Sequence, residues 1–545
     1  MSILTKTTAM LCLMVSTAIV GVAHADDRPV LNVALQSMGT AGSLDNVESA
    51  STAQRKYQSS IFEQLIALDF SDPNLAAKPG LAESWSWISP TQLELKLRQG
   101  VTFHNGDPMT ADDVVFSFSD ERFGLLPEQI AASEAGEASA ILADGTVTIV
   151  PPATVAATKK QAWPLLDRVE IVDENTVRFV MAQATLDTEA RLARLNHASI
   201  ISKRAFREAD GWKGWAIAPV ATGPYKVASL DEGAAIRMVP HEQYWEGQPP
   251  LAGLNYLVIP EGASRINGLL SGEYDIITDV GPDQVDLISN SDGFDVVGGP
   301  LANIRFINLD TRNGPLQNVK VRQALSHTID HETIVEDLWS GLTAKAHGLQ
   351  HPMFGDLYIE EHKPAEFDLE LAKKLLAEAG YNGEPITFRV APDYYPNQLT
   401  VAQYNLANME AAGFNIDFAV TDVPGEANNT RMMYDLSNTV HFGYPLAILQ
   451  NNCPNGGYNL ATNPESGTYT NDEFNELCQT LIEAASPEEA RAAFARALEI
   501  LEIEDPAYVL LHQNAILYGK RADIEWAPSA IFAMDFGPGA ISVAD

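Results

Sequence analysis

Cysteine is scarce in this chain: it occurs three times in 545 residues, at Cys12, Cys453 and Cys478. Cys12 lies in an apolar N-terminal segment that we expect to be removed, which leaves two. In an oxidising compartment these two can form a disulfide, and closing a loop of about 25 residues stabilises a fold by about 3 kcal/mol. A two-cysteine metal site is the alternative, but it lacks nearby histidine partners. We expect a Cys453–Cys478 disulfide and no metal.

Basic residues are also few. The chain has 35 lysines and arginines against 72 acids, for a formal net charge of −37. A surface this acidic repels nucleic acid and anionic lipid, so both are excluded as partners, and it favours a monomer in solution. The length and the 46% content of hydrophobic residues are sufficient for two or three domains.

Long apolar runs are absent after the first 25 residues. Lys6 precedes a mostly apolar stretch, residues 9–22, and Ala23-His24-Ala25 is a small-x-small cleavage site. This pattern predicts a signal peptide over residues 1–25, cleaved after Ala25, and export to the periplasm. A membrane anchor is the alternative, but the run is short for a transmembrane helix.

Catalytic motifs are missing as well. The sequence has no HExxH zinc motif, no GxSxG elbow, no GxxxxGK[ST] phosphate loop and no GxGxxG fingerprint. His327 and His331 are four residues apart on a predicted helix and could share a metal ion, but no third ligand lies at a spacing typical of metal sites. We expect no cofactor and no covalent chemistry. A secreted hydrolase with an unrecognised site remains the alternative from another class.

Residues 78–118 carry the most informative local pattern. Leu93, Leu95 and Leu97 alternate with charged residues, which predicts a half-buried strand. The turn pair Asn105-Gly106 follows, and Thr110 with an aspartate three residues later predicts a capped helix. The segment therefore reads as a scaffold of strands, turns and a helix.

Several short motifs in this segment and further along the chain resemble the signature of the family 5 solute-binding proteins, the extracytoplasmic receptors of peptide, opine and nickel ABC importers. The matching motifs are LAESW (81–85), LRQGV (97–101), FHNG (103–106), TADDVVFS (110–117), VRQAL (321–325) and LLAEAGY (375–381). The resemblance implies an α/β fold of the periplasmic-binding-protein type II kind, cluster C-like, with two lobes around a hinged cleft and an additional inserted domain.

The same resemblance implies the domain boundaries. Lobe I is expected to be discontinuous, with segments 26–70, 215–300 and 511–545, the inserted domain to cover 71–214, and lobe II to cover 301–510. Within this frame we expect a strand over 29–35 and a helix from about Ala50 to Leu68. Residues 124–160 match the family poorly and are interpreted as a divergent insert or mobile loop.

The candidate ligand contacts come mainly from the resemblance. Peptide-binding members carry an aspartate that holds the peptide α-amine at the position that Gly443 occupies here, and a shifted register would bring Asp435 there instead. A buried ammonium needs such an anion, so the ligand is held differently or is not a standard peptide. The expected ligand-binding residues are Met38, Asn46, Asn308, Tyr395, Arg431, His441, Phe442, Gly443, Tyr444 and Asn452.

The function implied is the capture of a short peptide or peptide-like polar solute, and its delivery to ABC transporter permease subunits. An opine, an oligosaccharide or a nickel chelate is the alternative ligand, and His441 would suit a metal complex. A chaperone-like or signalling receptor with the same fold is a further alternative. Trp245 is expected to be a packed anchor and not a stacking residue for the ligand.

Overall fold

The computed structural model describes residues 26–39, 42–48, 51–194, 196–391, 395–421, 432–454, 458–465 and 467–544. Its strands are β1 (Val30–Leu35), β2 (Ile66–Leu68), β3 (Ala77–Pro79), β4 (Ala82–Ser89), β5 (Gln92–Leu97), β6 (Ser139–Ile141), β7 (Val147–Ile149), β8 (Leu166–Asp173), β9 (Thr176–Met181), β10 (Tyr225–Asp231), β11 (Ala235–Pro240), β12 (Gly253–Val258), β13 (Ile276–Ile277), β14 (Phe294–Leu309), β15 (Ile386–Val390), β16 (Ile416–Val420), β17 (Met433–Thr439), β18 (Tyr508–Arg521), β19 (Ile524–Trp526) and β20 (Ile541–Val543).

The α-helices are α1 (Thr52–Ile61), α2 (Ala111–Ser117), α3 (Pro127–Glu134), α4 (Ala153–Ala162), α5 (Thr188–Leu192), α6 (Lys203–Glu208), α7 (Gly211–Ile217), α8 (Gly262–Ser271), α9 (Val285–Ser289), α10 (Val319–Ser326), α11 (His331–Thr333), α12 (Leu369–Ala379), α13 (Gln398–Ala412), α14 (Leu446–Leu449), α15 (Asp472–Glu483) and α16 (Pro487–Glu499). Short 3₁₀ segments lie at Pro282–Gln284, Gly314–Gln317 and Pro352–Leu357, and π-helical turns at Ile334–Leu338 and Ile500–Glu504.

Ten strands form one mixed sheet, in the order β10-β11-β12-β1-β13-β18-β14-β17-β15-β16. β1 is parallel to β12 and β13, and at the other end β15 is parallel to β16 and β17. The long antiparallel strands β14 and β18 run through both halves, and their pairing changes register between Pro300 and Ile304. The result is the expected α/β fold with two lobes, joined by two continuous strands.

A separate antiparallel sheet, β4-β5-β9-β8, is built from the predicted inserted domain. The capping box of α2 forms as expected, with the Thr110 backbone N–H donating to Asp113 Oδ2 at 3.0 Å. The apolar core of this sheet contains Leu95, Phe103 and Phe179, and it continues without a break to Phe442 in the segment that follows β17. The inserted domain therefore packs against the second half of the large sheet.

Two elements differ from the sequence-based expectation. The helix expected from Ala50 to Leu68 ends at Ile61, because residues 66–68 pair with β3 as strand β2, a non-local contact that the local pattern does not encode. The segment 124–160 is not a loop: it contains α3, the β6–β7 hairpin and α4. Its low similarity to the family concealed regular structure.

The second lobe is tied by the disulfide between Cys453 and Cys478, which links the segment after α14 to α15. The His327–His331 pair is divided between two helices, with His327 at the end of α10 and His331 at the start of α11. Their Nδ1 atoms contact the carbonyl oxygens of Glu366 and Leu511 at 2.7 and 2.6 Å. Among the residues described, no group of three or more histidine, cysteine, aspartate or glutamate side chains is placed so that it could hold a metal ion.

Within the described ranges, no helix combines the length and apolar character needed to span a membrane.

Candidate functional site

The loop that follows β1 carries two of the predicted contacts, Met38 and Asn46, into the interior. The Tyr57 hydroxyl donates to the Met38 carbonyl oxygen at 3.1 Å. Asn46 is only 1% exposed, and its Nδ2 has no hydrogen-bond partner in the part of the chain that is described. Because a buried amide donor without a partner is costly, Asn46 marks a position where a ligand or water is expected.

Asp45, next to Asn46, fixes this loop to the inserted domain. Its Oδ2 accepts hydrogen bonds from Arg122 Nη2 at 2.5 Å and from Trp215 Nε1 at 2.7 Å. The ion pair with Arg122 is almost fully buried on both sides. The Asp45 carboxylate is therefore already neutralised by a partner of its own.

Helix α5 and the residues after it supply basic side chains. Arg191 Nε donates to Asp187 Oδ2 at 2.5 Å, and its Nη1 donates to the Ala162 carbonyl oxygen at 2.8 Å. Arg194, one turn further, is 4% exposed, yet its Nε and Nη1 have no partner among the described residues. His197 is 6% exposed, its Nδ1 is likewise unpartnered, and its φ of 72° is unusual for a residue with a side chain.

The segment after β17 brings His441 and Phe442 to these side chains. The guanidinium carbons of Arg191 and Arg194 lie 4.8 and 5.8 Å from the centre of the Phe442 ring. The ring is fully buried and belongs to the core shared with the inserted domain. Phe442 therefore sets the spacing between α5 and the loop that carries His441.

Arg55, Arg194, His197 and His441 form what we call the basic cluster. Burial lowers the pKa of His441 well below its usual value, and the charges of Arg55 and Arg194 lower it further. Burial and the same two arginines also lower the pKa of His197. Burial, Arg55 and Arg191 lower the pKa of Arg194. Both imidazoles are therefore neutral at pH 7, beside guanidinium groups in a desolvated space.

Tyr395 and Asp435 belong to a second polar group, within the segment 301–510 that is expected to form lobe II. Asp435 forms a buried ion pair with Arg305, whose guanidinium carbon lies 3.7 Å from the centre of the Tyr395 ring. Burial raises the pKa of Asp435, although Arg305 opposes that rise. The Tyr395 hydroxyl is 2.7 Å from the Ser437 hydroxyl. Asp435 is thus already paired with Arg305, which makes it a poor substitute for the aspartate that the resemblance leads one to expect at position 443.

Gly443 is confined by the protein around it. A Cβ atom added there would lie 3.0 Å from the Met353 carbonyl oxygen, which is tighter than nearly all real contacts of this kind. An aspartate would require the backbone of residue 353 to shift. The Met353 backbone therefore leaves little room for a side chain at the position where the carboxylate is expected from the resemblance.

The remaining predicted residues that the structure describes each make at least one hydrogen bond to the protein, although Asn308 Oδ1 and Asn452 Nδ2 have no partner among the described residues. Asn308 Nδ2 donates to Thr468 Oγ1 at 3.4 Å, and the Tyr444 hydroxyl donates to the Leu481 carbonyl oxygen at 2.7 Å. Asn452 Oδ1 accepts a hydrogen bond from the Tyr508 hydroxyl. Arg431 lies outside the described residues. A ligand-binding role for all of these residues stays a prediction.

The sequence reasoning missed Arg55, Arg194 and His197. One signal was present: Arg191, Arg194 and His197 follow each other at three-residue intervals, in a chain with twice as many acids as bases. A basic run in such a context indicates a specific role. Arg55 gave no signal, because it lies on α1 among ordinary helix-forming residues.

The family described as "Bacterial extracellular solute-binding proteins, family 5 Middle" matches residues 76–450. The chain belongs to the bacterial extracellular solute-binding proteins of family 5, the solute-binding components of ABC transporters. The resemblance seen in the sequence is thereby confirmed.

Individual relatives extend over most of the chain. It is 28% identical over 480 residues to heme-binding protein A of Haemophilus influenzae, covering 83% of this chain and 81% of the relative. It is 26% identical over 351 residues to the dipeptide-binding protein of Escherichia coli, covering 62% of each. The periplasmic binding protein DppA of Helicobacter pylori in complex with the peptide STSA has the same fold, with a TM-score of 0.76 at 21% identity, over 95% of this chain and 99% of that one.

Proposed function

We propose that this protein is the periplasmic receptor of an ABC importer that captures a short peptide or peptide-like polar solute and delivers it unaltered to the permease. One observation carries the proposal: in the described part of the chain, buried nitrogens of Arg194 and His197 after α5, and of Asn46 in the loop after β1, have no protein partner, and Arg194 lies against Phe442 of the segment after β17. Proteins seldom leave such donors unsatisfied unless a ligand or water completes them.

The relatives support the class of ligand. A dipeptide-binding protein is among them, and a protein of the same fold binds the peptide STSA. An opine-like solute is the second candidate, because Gly443 provides no carboxylate for a peptide α-amine. Export with cleavage after Ala25, a monomeric state and the domain limits given above form part of the same proposal.

Trapping requires the two lobes to move. β14 and β18 are the continuous strands between them, and the change of register between Pro300 and Ile304 interrupts regular pairing close to the expected boundary at residue 300. Closure about such strands would be stabilised by contacts that exist only with ligand present.

Native mass spectrometry of the protein purified from a periplasm tests the proposal. We expect a co-purifying small solute, a mature N-terminus at Asp26, and an increase in melting temperature when di- to pentapeptides or opines are added to ligand-free protein. Solutes incubated with the protein should be recovered intact. Recovery of cleaved or otherwise altered solute, or a panel without any stabilising member, would contradict it.

A further inference from the structure

A cavity of about 470 Å³ lies between the end of α1, the strand pair β2–β3 and residues 535–538. Part of its wall is apolar and includes Phe62 and Phe70, and the rest carries the carboxyl groups of Glu63, Glu246 and Asp535. Of the residues that the structure describes, no member of the basic cluster lines this cavity. It is therefore a separate candidate site, which we call the acidic cavity.

The carboxyl groups of the acidic cavity have too few donors around them. The Tyr244 hydroxyl lies 2.8 Å from Glu63 Oε1 and 3.1 Å from Glu246 Oε2, but a hydroxyl has one proton and can donate to one of them at a time. Trp245 Nε1 donates to the same Glu63 Oε1 at 2.9 Å. Glu63 Oε2 is buried and has no hydrogen-bond partner in the described part of the chain. A buried carboxylate oxygen in this position needs a further donor.

The charges around the cavity are mainly negative. Burial raises the pKa of Tyr244 well above its usual value. The charges of Glu63, Glu246 and Asp535 raise it further, so all three carboxyl groups act on one hydroxyl. Burial also raises the pKa of Asp535, an effect that the charge of Lys78 opposes. Among the described residues that line the cavity, Lys78 is the one basic side chain against three acids, so the missing group is a cation.

A metal ion does not fit this arrangement. No three histidine, cysteine, aspartate or glutamate side chains of the described residues are placed so that they could hold one. The apolar part of the wall would also have no role in binding a metal ion. The volume, in contrast, is within the range of sites for small organic molecules.

We infer that the acidic cavity binds a small organic cation, with a primary ammonium group donating to Glu63 Oε2 and an apolar body against Phe62 and Phe70. An ammonium group is suited to this position because it has three N–H donors and a charge opposite to that of the surrounding carboxylates. The inference does not depend on the proposed receptor function, since it concerns a different group of residues.

Two probes of similar shape and opposite charge test the inference. Isothermal titration calorimetry at pH 8, above the raised pKa of Glu63, compares 2-phenylethylamine with 3-phenylpropanoate. We expect the amine to bind at least about tenfold more tightly than the carboxylate, because the cavity attracts one charge and repels the other. Absence of amine binding, or equal binding of the two probes, would overturn the inference.

Variants of the carboxyl groups show where the amine binds. Glu63→Gln keeps the shape of the side chain and should weaken binding of the amine by at least about tenfold. Glu246→Gln, at an exposed position where folding is not at risk, should weaken it by about threefold. Glu83→Gln is the matched control: it changes the net charge equally at an exposed position of β4 outside the cavity, and should bind the amine as the wild type does.

Filling the cavity provides a test that leaves every charge in place. Ala67 lines the acidic cavity from β2, and Ala67→Phe should abolish binding of the amine, with circular dichroism confirming that the variant is folded. If Ala67→Phe and Glu63→Gln are folded and bind the amine as tightly as the wild type does, the amine binds elsewhere and the assignment of the cavity is wrong.

Discussion

Glu63, just after α1, provides a quantitative test of how burial controls a titratable group. Its Oε1 accepts hydrogen bonds from the Tyr244 hydroxyl at 2.8 Å and from Trp245 Nε1 at 2.9 Å. The guanidinium carbon of Arg98 lies 4.0 Å from the centre of the Trp245 ring. Trp245 thus packs against other side chains of the protein, as expected for an anchor. Burial raises the pKa of Glu63 from 4.5 to about 7 despite the two hydrogen bonds.

A raised carboxyl pKa makes stability depend on pH in a known direction. Between pH 4.5 and about 7 the folded protein binds a proton at Glu63 that the unfolded chain has released. The free energy of unfolding therefore falls as pH rises through this window, and the full effect is about 3 kcal/mol. In Glu63→Gln the amide oxygen can still accept from Tyr244 and Trp245, but the group no longer titrates.

Urea unfolding followed by circular dichroism at pH 5 and pH 8 measures the effect. We expect Glu63→Gln to gain about 2–3 kcal/mol relative to the wild type between these two pH values. Glu83→Gln, on the exposed side of β4, is the matched control and should follow the wild type. A Glu63→Gln difference that is the same at both pH values would refute the argument from burial.

Three further changes have expected outcomes in urea unfolding. Replacing Cys453 and Cys478 by serine opens a loop of about 25 residues and should cost about 3 kcal/mol, whereas an unchanged midpoint would show that the disulfide does not constrain the unfolded chain. Gly223→Ala places a Cβ 2.6 Å from the backbone at the end of α1 and should cost about 1–3 kcal/mol, whereas Gly262→Ala, whose nearest neighbour is a side chain at 3.7 Å, should be nearly neutral. Burial lowers the pKa of His362, but the buried ion pair with Glu502 raises it overall above 6.5, so the stability that this pair adds should disappear as pH rises through that raised pKa. His362→Gln should remove this pH dependence of the free energy of unfolding. Persistence of the dependence in His362→Gln would exclude His362 as its source.

Local signals in the sequence were sufficient for many elements. The capping box at Thr110, the cap at Asp368 and the left-handed glycine Gly380 fix helix ends, because each involves atoms only a few residues apart. The β8–β9 hairpin follows from alternating residues on both sides of a short turn. The helix expected at 50–68 is too long because its last residues form strand β2, which exists only through its pairing with β3 and not through a pattern of neighbouring residues.

In the candidate site too, nearby residues were predictable and contacts between distant segments were not. The resemblance to the family led to His441 and Phe442, and the expected position of the family aspartate identified Gly443. They could not show that the charges of Arg55 and Arg194 would act on His441, since both arginines are more than 100 positions away from it and belong to two different segments, α1 and the residues after α5.

The sequence alone thus determined the family, the α/β two-lobe fold and the pair of cysteines, because these depend on local patterns and motif words. Only the tertiary structure decided the charge of the site. The field at a buried point is the sum over groups from distant segments, and whether each group is already paired depends on packing that no local pattern records.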